Sequence, residues 1–264
     1  MMPAMTLPVA PPAVARLHVA DDLGEGASVD LGAERAHYLR HVLRLEVGAG
    51  VRLFNGRDGE WATRIAAHAK RATTLTVGRR LREQSPEPDL WLVFAALKRT
   101  PMDLIAQKAT ELGVSALLPV MTRRTVASRV AAARLAAIAV EAAEQSERLT
   151  LPVVEAVMLL SRRLAARPAG RRLLLCAEAG SALPIATVLE ALRGQGAAGW
   201  PWGVLIGPEG GFDPGELDEI GKVSFVTPVG LGPRLLRAET AALAALACWQ
   251  AILGDGAARP PLRP

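Results

Sequence analysis

Two stretches of this chain combine residue types suited to holding a small ligand against bare backbone. The first, GVLIGPEGGF over 203–212, sets an aliphatic run (Val204, Leu205, Ile206) directly before Gly207, Pro208, Glu209, Gly210 and Gly211. Glycine has no Cβ, so another molecule can lie directly on such a loop. The second, FVTPVGLGPRLLRAET over 225–240, repeats the design with a turn at Gly230-Leu231-Gly232-Pro233. Arg234, Leu235, Leu236, Arg237, Glu239 and Thr240 follow that turn. Two such loops on neighbouring strands could close over one ligand. Neither has the dinucleotide spacing G-x-G-x-x-G or the phosphate loop G-x-x-x-x-G-K-[ST]. For either glycine cluster alone, the alternative is a tight turn that binds nothing.

Metal chemistry is not expected. Cys176 and Cys248 lie far apart in apolar runs and read as buried free thiols. His37 and His41 share a face if their segment is helical, but no third ligand accompanies them. In the same segment, HYLRHVLRL, Arg40 and Arg44 are four residues apart and would point the same way on a helix, with Arg35 nearby. Such a cluster is either a solvated face or an edge that grips phosphate.

Those loops need strands and helices to hold them. Asp213-Pro214-Gly215-Glu216 reads as N-cap, N1 proline and N3 carboxylate of a helix over 214–221. Further strands are expected at 90–97, 116–120, 173–177, 204–206 and 225–229, and helices at 130–146, 184–192 and 237–253. Thr100-Pro101-Met102-Asp103 reads as a capped start of another helix, with Gly113 at its far end. Strands alternating with helices imply a mostly parallel sheet, in which ligands bind beyond the carboxyl ends of the strands. Before it, short strands at 16–20, 51–55, 61–66 and 73–77 suggest a small β-barrel, with a hairpin turn at Asn55–Gly59 and a helical insertion over 33–43. Gln84-Ser85-Pro86-Glu87-Pro88 marks the linker between them.

Half of the 264 residues are hydrophobic and only 4% aromatic, so the core is expected to be mostly Ala, Leu and Val. A formal charge of +5 fits a nucleic-acid partner without requiring one. The N-terminus lacks a basic region before an apolar run, and the longest apolar run is too short to span a bilayer. A soluble cytoplasmic protein with no membrane partner is the expectation.

Three stretches resemble one known family. LIGPEGGF at 205–212, LGPRLLRAETAALAAL at 231–246 and KRTPMDLIAQKATELGVSALLPV at 98–120 are similar to the motifs of the RsmE family. These are 16S rRNA (uracil-N3) methyltransferases of the SPOUT, or α/β-knot, superfamily. EQSERLTLPVV at 144–154 and HVLRLEVGAGVRLFNGRDG at 41–59 also fit, and the resemblance runs from about 16 to 253.

The resemblance implies an α/β fold: a SPOUT-type parallel sheet with a C-terminal trefoil knot over 90–253, preceded by a PUA-like RNA-binding β-barrel over 16–83. A linker at 84–89, a disordered tail at 1–15 and a flexible tail at 254–264 complete the layout. It implies S-adenosylmethionine as cofactor, 16S rRNA in the small ribosomal subunit as partner, and a homodimer; the alternatives are a SPOUT methyltransferase acting on tRNA or another rRNA position, or a non-catalytic RNA-binding ribosome-assembly factor. On that basis Leu205, Ile206, Gly207, Pro208, Glu209, Gly210, Gly211, Leu231, Gly232, Pro233, Leu235, Leu236 and Thr240 are the candidate cofactor residues. Glu209 is either an acceptor that holds the loop, or bridges the dimer, or a group near the sulfonium. Arg237, with Arg234 second, is the candidate cation for charge that develops on uracil O2 and O4; the alternative is an Arg237–Glu239 ion pair. Glu239 is a candidate base, weakened by its arginine neighbour. Lys98, Arg99, Arg123, Arg124 and Arg148 are expected to hold rRNA phosphates together with Arg40 and Arg44. Two departures stand out: Met121-Thr122-Arg123-Arg124 replaces a usual acidic residue, and Ala49 replaces a usual aspartate in a barrel turn.

Overall fold

The computed structural model describes residues 15–126, 130–177 and 182–259. The expected N-terminal tail and the end of the C-terminal one lie almost wholly outside these residues. The chain divides into two units between Ser85 and Pro86.

The first unit is a five-stranded mixed sheet. Its elements are β1 (Ala15–His18), β2 (Ser28–Leu31), helix α1 (Ala33–His37), β3 (Gly50–Phe54), β4 (Glu60–His68) and β5 (Thr73–Arg82), with spatial order β1-β3-β4-β5-β2. β2 has no counterpart among the strands expected from sequence, being only four residues long. Its alternation is nonetheless clean, with Val29 and Leu31 buried and their neighbours exposed. The β3–β4 hairpin is closed by the Asn55 side chain, whose Oδ1 accepts from the N–H of Arg57 (3.1 Å) and Asp58 (2.8 Å). Buried Glu60 accepts from Arg16 at 2.9 Å and from Arg82, tying β4 to β1 and β5. The turn that lacks the usual aspartate is held by main chain instead, with Ala49 N–H donating to Glu46 O at 3.1 Å.

α1 runs into a π-helical turn, Tyr38–Val42. His37 and His41 lie side by side, with ring centroids 4.9 Å apart and planes tilted by 39°. Arg44 lies beyond it with φ +55°, outside the helix, so Arg40 and Arg44 do not share a helical face as expected.

The second unit is an all-parallel sheet. Its elements are β6 (Leu90–Ala95), α2 (Arg99–Glu111), β7 (Ala116–Met121), α3 (Ala132–Ser146), β8 (Val153–Val154), β9 (Met158–Leu159), α4 (Leu160–Ala165), β10 (Arg172–Cys176), α5 (Ile185–Gly194), β11 (Trp202–Ile206), α6 (Pro214–Gly221), β12 (Val226–Val229) and α7 (Ala238–Ile252). The strand order is β12-β10-β11-β6-β7-β8, with β9 also on β7. Strand side chains alternate between two cores. Val204 and Ile206 join the face that holds Trp202, Leu246 and Trp249, while Leu205 joins the other with Leu173 and Leu175.

Two local expectations need correcting. α2 starts at Arg99 with Lys98 as its cap and no side-chain cap bond, so Thr100 and Pro101 are already inside the first turn. Proline is tolerated there because first-turn N–H groups have no helical acceptor. The segment after α7 stays tied to the helix as far as Gly256 rather than fraying at Gly254: Gly254 N–H donates to Trp249 O (3.1 Å) and Gly256 N–H to Gln250 O (3.0 Å). No helix among the described residues is long and apolar enough to cross a membrane.

Candidate active site

α6 starts as its sequence predicts. Asp213 Oδ1 accepts from the N–H of Gly215 (3.1 Å) and Glu216 (3.4 Å), and Pro214 occupies the first helical position. Glu216 does not reach back to the cap. Its largely buried carboxylate accepts the Arg123 main-chain N–H instead, at 3.2 and 3.4 Å. The preceding loop is closed by main chain, Gly211 N–H to Pro208 O at 2.9 Å. Gly211 has φ +65° and Gly232, in the second loop, φ +101°, both in the left-handed region that disfavours a side chain.

The two bends meet. One cleft is lined by Ile206 and Gly207 from the first and by Leu231, Gly232, Arg234, Leu235 and Leu236 from the second. Between them comes the end of β10, because β10 lies between β11 and β12 in the sheet. It contributes Cys176 and Ala177, and the first turn of α7 contributes Ala238 and Ala241. These four were not among the candidates. Only the strand order puts β10 there, and Ala238 and Ala241 carry no chemistry that a sequence reading would single out. Burial pushes the Cys176 thiol up to about 12, with Cys248 adding to it, so this cleft wall is neutral.

The remaining candidates lie off the cleft surface. The Leu205 side chain points into the opposite core by strand alternation. Pro208 is buried, while Glu209, Gly210, Pro233 and Thr240 are exposed and Gly211 is half-buried. Glu209 makes no hydrogen bond among the described residues, so it does not hold its loop; main chain does. Arg237 is the exposed N-cap residue of α7, and neither it nor Arg234 has an ion-pair partner among the described residues. The Arg237–Glu239 pairing offered as the alternative is therefore not formed. No cluster of His, Cys, Asp or Glu among the described residues is placed to hold a metal.

The basic candidates separate by edge. Lys98 and Arg99 follow β6 and Arg124 follows β7, at the carboxyl edge that also carries the cleft, and all three are exposed. Arg123 bridges Asp213 (3.0 Å) and Glu219 (2.7 Å), which raises its own pKa and holds the Asp213 carboxyl below the usual carboxylate range. Arg148 is a correction. Its side chain is 8% exposed and donates to Glu87, to the carbonyls of Thr110 (2.6 Å) and Val114 (3.0 Å), and to Thr150 (2.9 Å). Crossover helices run against the strands, so a residue at the end of α3 arrives at the amino edge, away from the cleft.

A cleft built from successive strand-to-helix turns of a parallel sheet defines a cofactor-binding α/β domain, and the RNA methyltransferase domain family matches residues 83–250. The RNA methyltransferase PUA domain family matches residues 31–77. Ribosomal RNA small subunit methyltransferase E of Rickettsia conorii is 32% identical over 88% of this chain and 93% of its own length. The protein of the same name from Synechocystis is 34% identical over 90% of this chain and 78% of its own. Among solved structures, ribosomal RNA small subunit methyltransferase E from Neisseria gonorrhoeae, bound to S-adenosyl methionine, superposes with a TM-score of 0.80 at 26% identity, covering 92% of this chain and 99% of that one. A Legionella pneumophila methyltransferase in complex with the same cofactor gives 0.77 at 27% identity, covering 91% and 98%. This chain belongs to the RNA methyltransferase family of the ribosomal RNA small subunit methyltransferase E type.

Proposed function

We propose that the protein transfers a methyl group from S-adenosylmethionine to N3 of a uridine in 16S rRNA of the small ribosomal subunit, as a cytoplasmic homodimer. The observation that carries this reading is the single cleft shared by the bends after Ile206 and Gly230, in a chain of this family. The residues present suit the cofactor. A Cβ built at Gly232 meets nothing within 4 Å, so the cleft surface there is open to a ligand, and Gly210, at the outer end of the first loop, is equally bare of side-chain neighbours. Leu231, Leu235 and Leu236 offer apolar surface for an adenine. When bound, the cofactor supplies an electrophilic methyl group.

The chain's own groups manage the other reactant. Uracil N3 must lose its proton, and the charge spreads onto O2 and O4. A cation held beside those oxygens lowers the barrier, and Arg237, exposed and without an ion-pair partner among the described residues, is suited to that role, with Arg234 second. Glu239, two residues on, is the carboxylate of the same turn suited to accept the N3 proton. Holding the pyrimidine in line with the donor supplies much of the remaining acceleration. Lys98, Arg99 and Arg124 at the carboxyl edge, and exposed Arg40 and Arg44 in the first unit, are suited to RNA phosphates.

Two structural parts of the reading have support of their own. Gly230 N–H donates to Leu183 O (2.9 Å) and Ile185 N–H to Gly230 O (3.0 Å), so the chain after β12 passes against an earlier loop, as a knotted segment does. Leu235 and Leu183, 81% and 60% exposed, offer the apolar surface that a second copy would cover. Incubation with labelled cofactor and 30S subunits, naked 16S rRNA or tRNA tests the function. Label in small-subunit rRNA is expected. Label in tRNA alone, or none despite cofactor binding, would overturn it.

A further inference from the structure

Arg123, just past the end of β7, finds its partners on the far side of the cofactor loop. Its guanidinium spans the cap of α6 and the next turn of the same helix, bonding Asp213 Oδ1 and Glu219 Oε1. Its own N–H is taken by Glu216, so three consecutive contacts fasten the β7 end to α6. The next residue reaches further back: Arg124 Nη1 donates to Gly210 O at 3.2 Å, inside the glycine loop itself. The turn that carries both arginines is braced in turn, Thr122 N–H to Thr125 Oγ1 at 2.9 Å. Segment 210–219 is therefore strapped at both ends by two adjacent side chains.

We infer that Arg123 and Arg124 are positioning residues for the methyl donor: they preset the Gly207–Gly211 loop without touching the ligand. The inference rests on the cofactor assignment made above. Exposed ion pairs are individually weak. Here their effect is on order: α6 and the loop are one continuous segment, and each bond removes freedom that ligand binding would otherwise have to remove. Gly215 fits the same picture, since a Cβ there would stand 2.9 Å from Arg123 Nη1.

The test is calorimetric titration of S-adenosylhomocysteine without RNA, into wild type, Arg123→Ala, Arg123→Lys, Arg124→Ala and Gly215→Ala, with thermal unfolding of each. Gly215→Ala pushes chiefly on the tip of the Arg123 side chain (2.9 Å) and more lightly on Asp213 Oδ1 (3.3 Å), so it probes the strap with the arginine retained. Loss of an exposed strap contact predicts about two- to fivefold weaker binding for both alanine variants of arginine and for Gly215→Ala. Arg123→Lys should recover part of it. In turnover, KM for the cofactor should rise while kcat at saturation and KM for RNA hold for the Arg123 variants. Wild-type affinity in all variants, or lowered melting temperature with unchanged affinity, overturns the inference and leaves the function standing. No binding by wild type overturns both.

Discussion

Gly207 and Gly210 belong to one turn but are glycine for different reasons. A Cβ on Gly207 would stand 2.9 Å from the Phe212 ring, so Gly207→Ala should cost about 1–3 kcal/mol of stability by overpacking, read by denaturant melt. Gly210 meets nothing within the protein. Gly210→Val should therefore melt like wild type yet bind S-adenosylhomocysteine at least about tenfold more weakly; unchanged affinity would remove the loop from the cofactor site. Arg237→Ala is expected to lower turnover by about a hundredfold or more, with cofactor affinity nearly unchanged. A large loss of cofactor affinity would instead assign Arg237 to the donor. Cys176, its pKa pushed up to about 12, has almost no thiolate at pH 8. Its alkylation by iodoacetamide in the native protein should be far slower than that of an unfolded control, followed by peptide mass spectrometry, and should show no inflection between pH 8 and 9.5.

The elements most legible in the sequence were those whose ends carry their own chemistry. α6 begins and ends at the expected residues, because Asp213 and Pro214 specify its start locally. β8 and β9 are two residues each and exist only by pairing with β7, so no periodicity announces them. α2 shows how a capping pattern misleads by two residues when proline suits more than one position of the first turn. Arg148 shows a different failure: residue type and proximity to a helix end say nothing about which edge of the sheet that end reaches. Its corrected role makes a prediction. Arg148→Ala leaves Glu87 and the Val114 carbonyl without their donor, while Thr110 O keeps the Gly113 N–H at 3.0 Å, and should cost about 3 kcal/mol of stability, with rRNA affinity unchanged. A selective loss of rRNA affinity in a protein of normal stability would return Arg148 to the RNA surface.

Across the whole molecule, what joins the two bends is strand order rather than sequence distance. β11 and β12 sit on either side of β10, so two loops separated along the chain close on one cleft with a third turn between them. Sequence pattern identified the two bends, while the wall from β10 and α7 became visible only with the sheet assembled. The first unit, matched by the RNA methyltransferase PUA family, adds exposed basic groups to a chain whose second unit holds the cleft. A methyl on uracil N3 removes the Watson–Crick donor and stops reverse transcription at that base. The most direct measurement is therefore primer extension along 16S rRNA from 30S subunits treated with this protein and S-adenosylmethionine. The account predicts one new strong stop, one nucleotide before a uridine and absent when S-adenosylhomocysteine replaces the donor. Labelled methyl in the rRNA with no new stop, or a stop opposite another base, would contradict it.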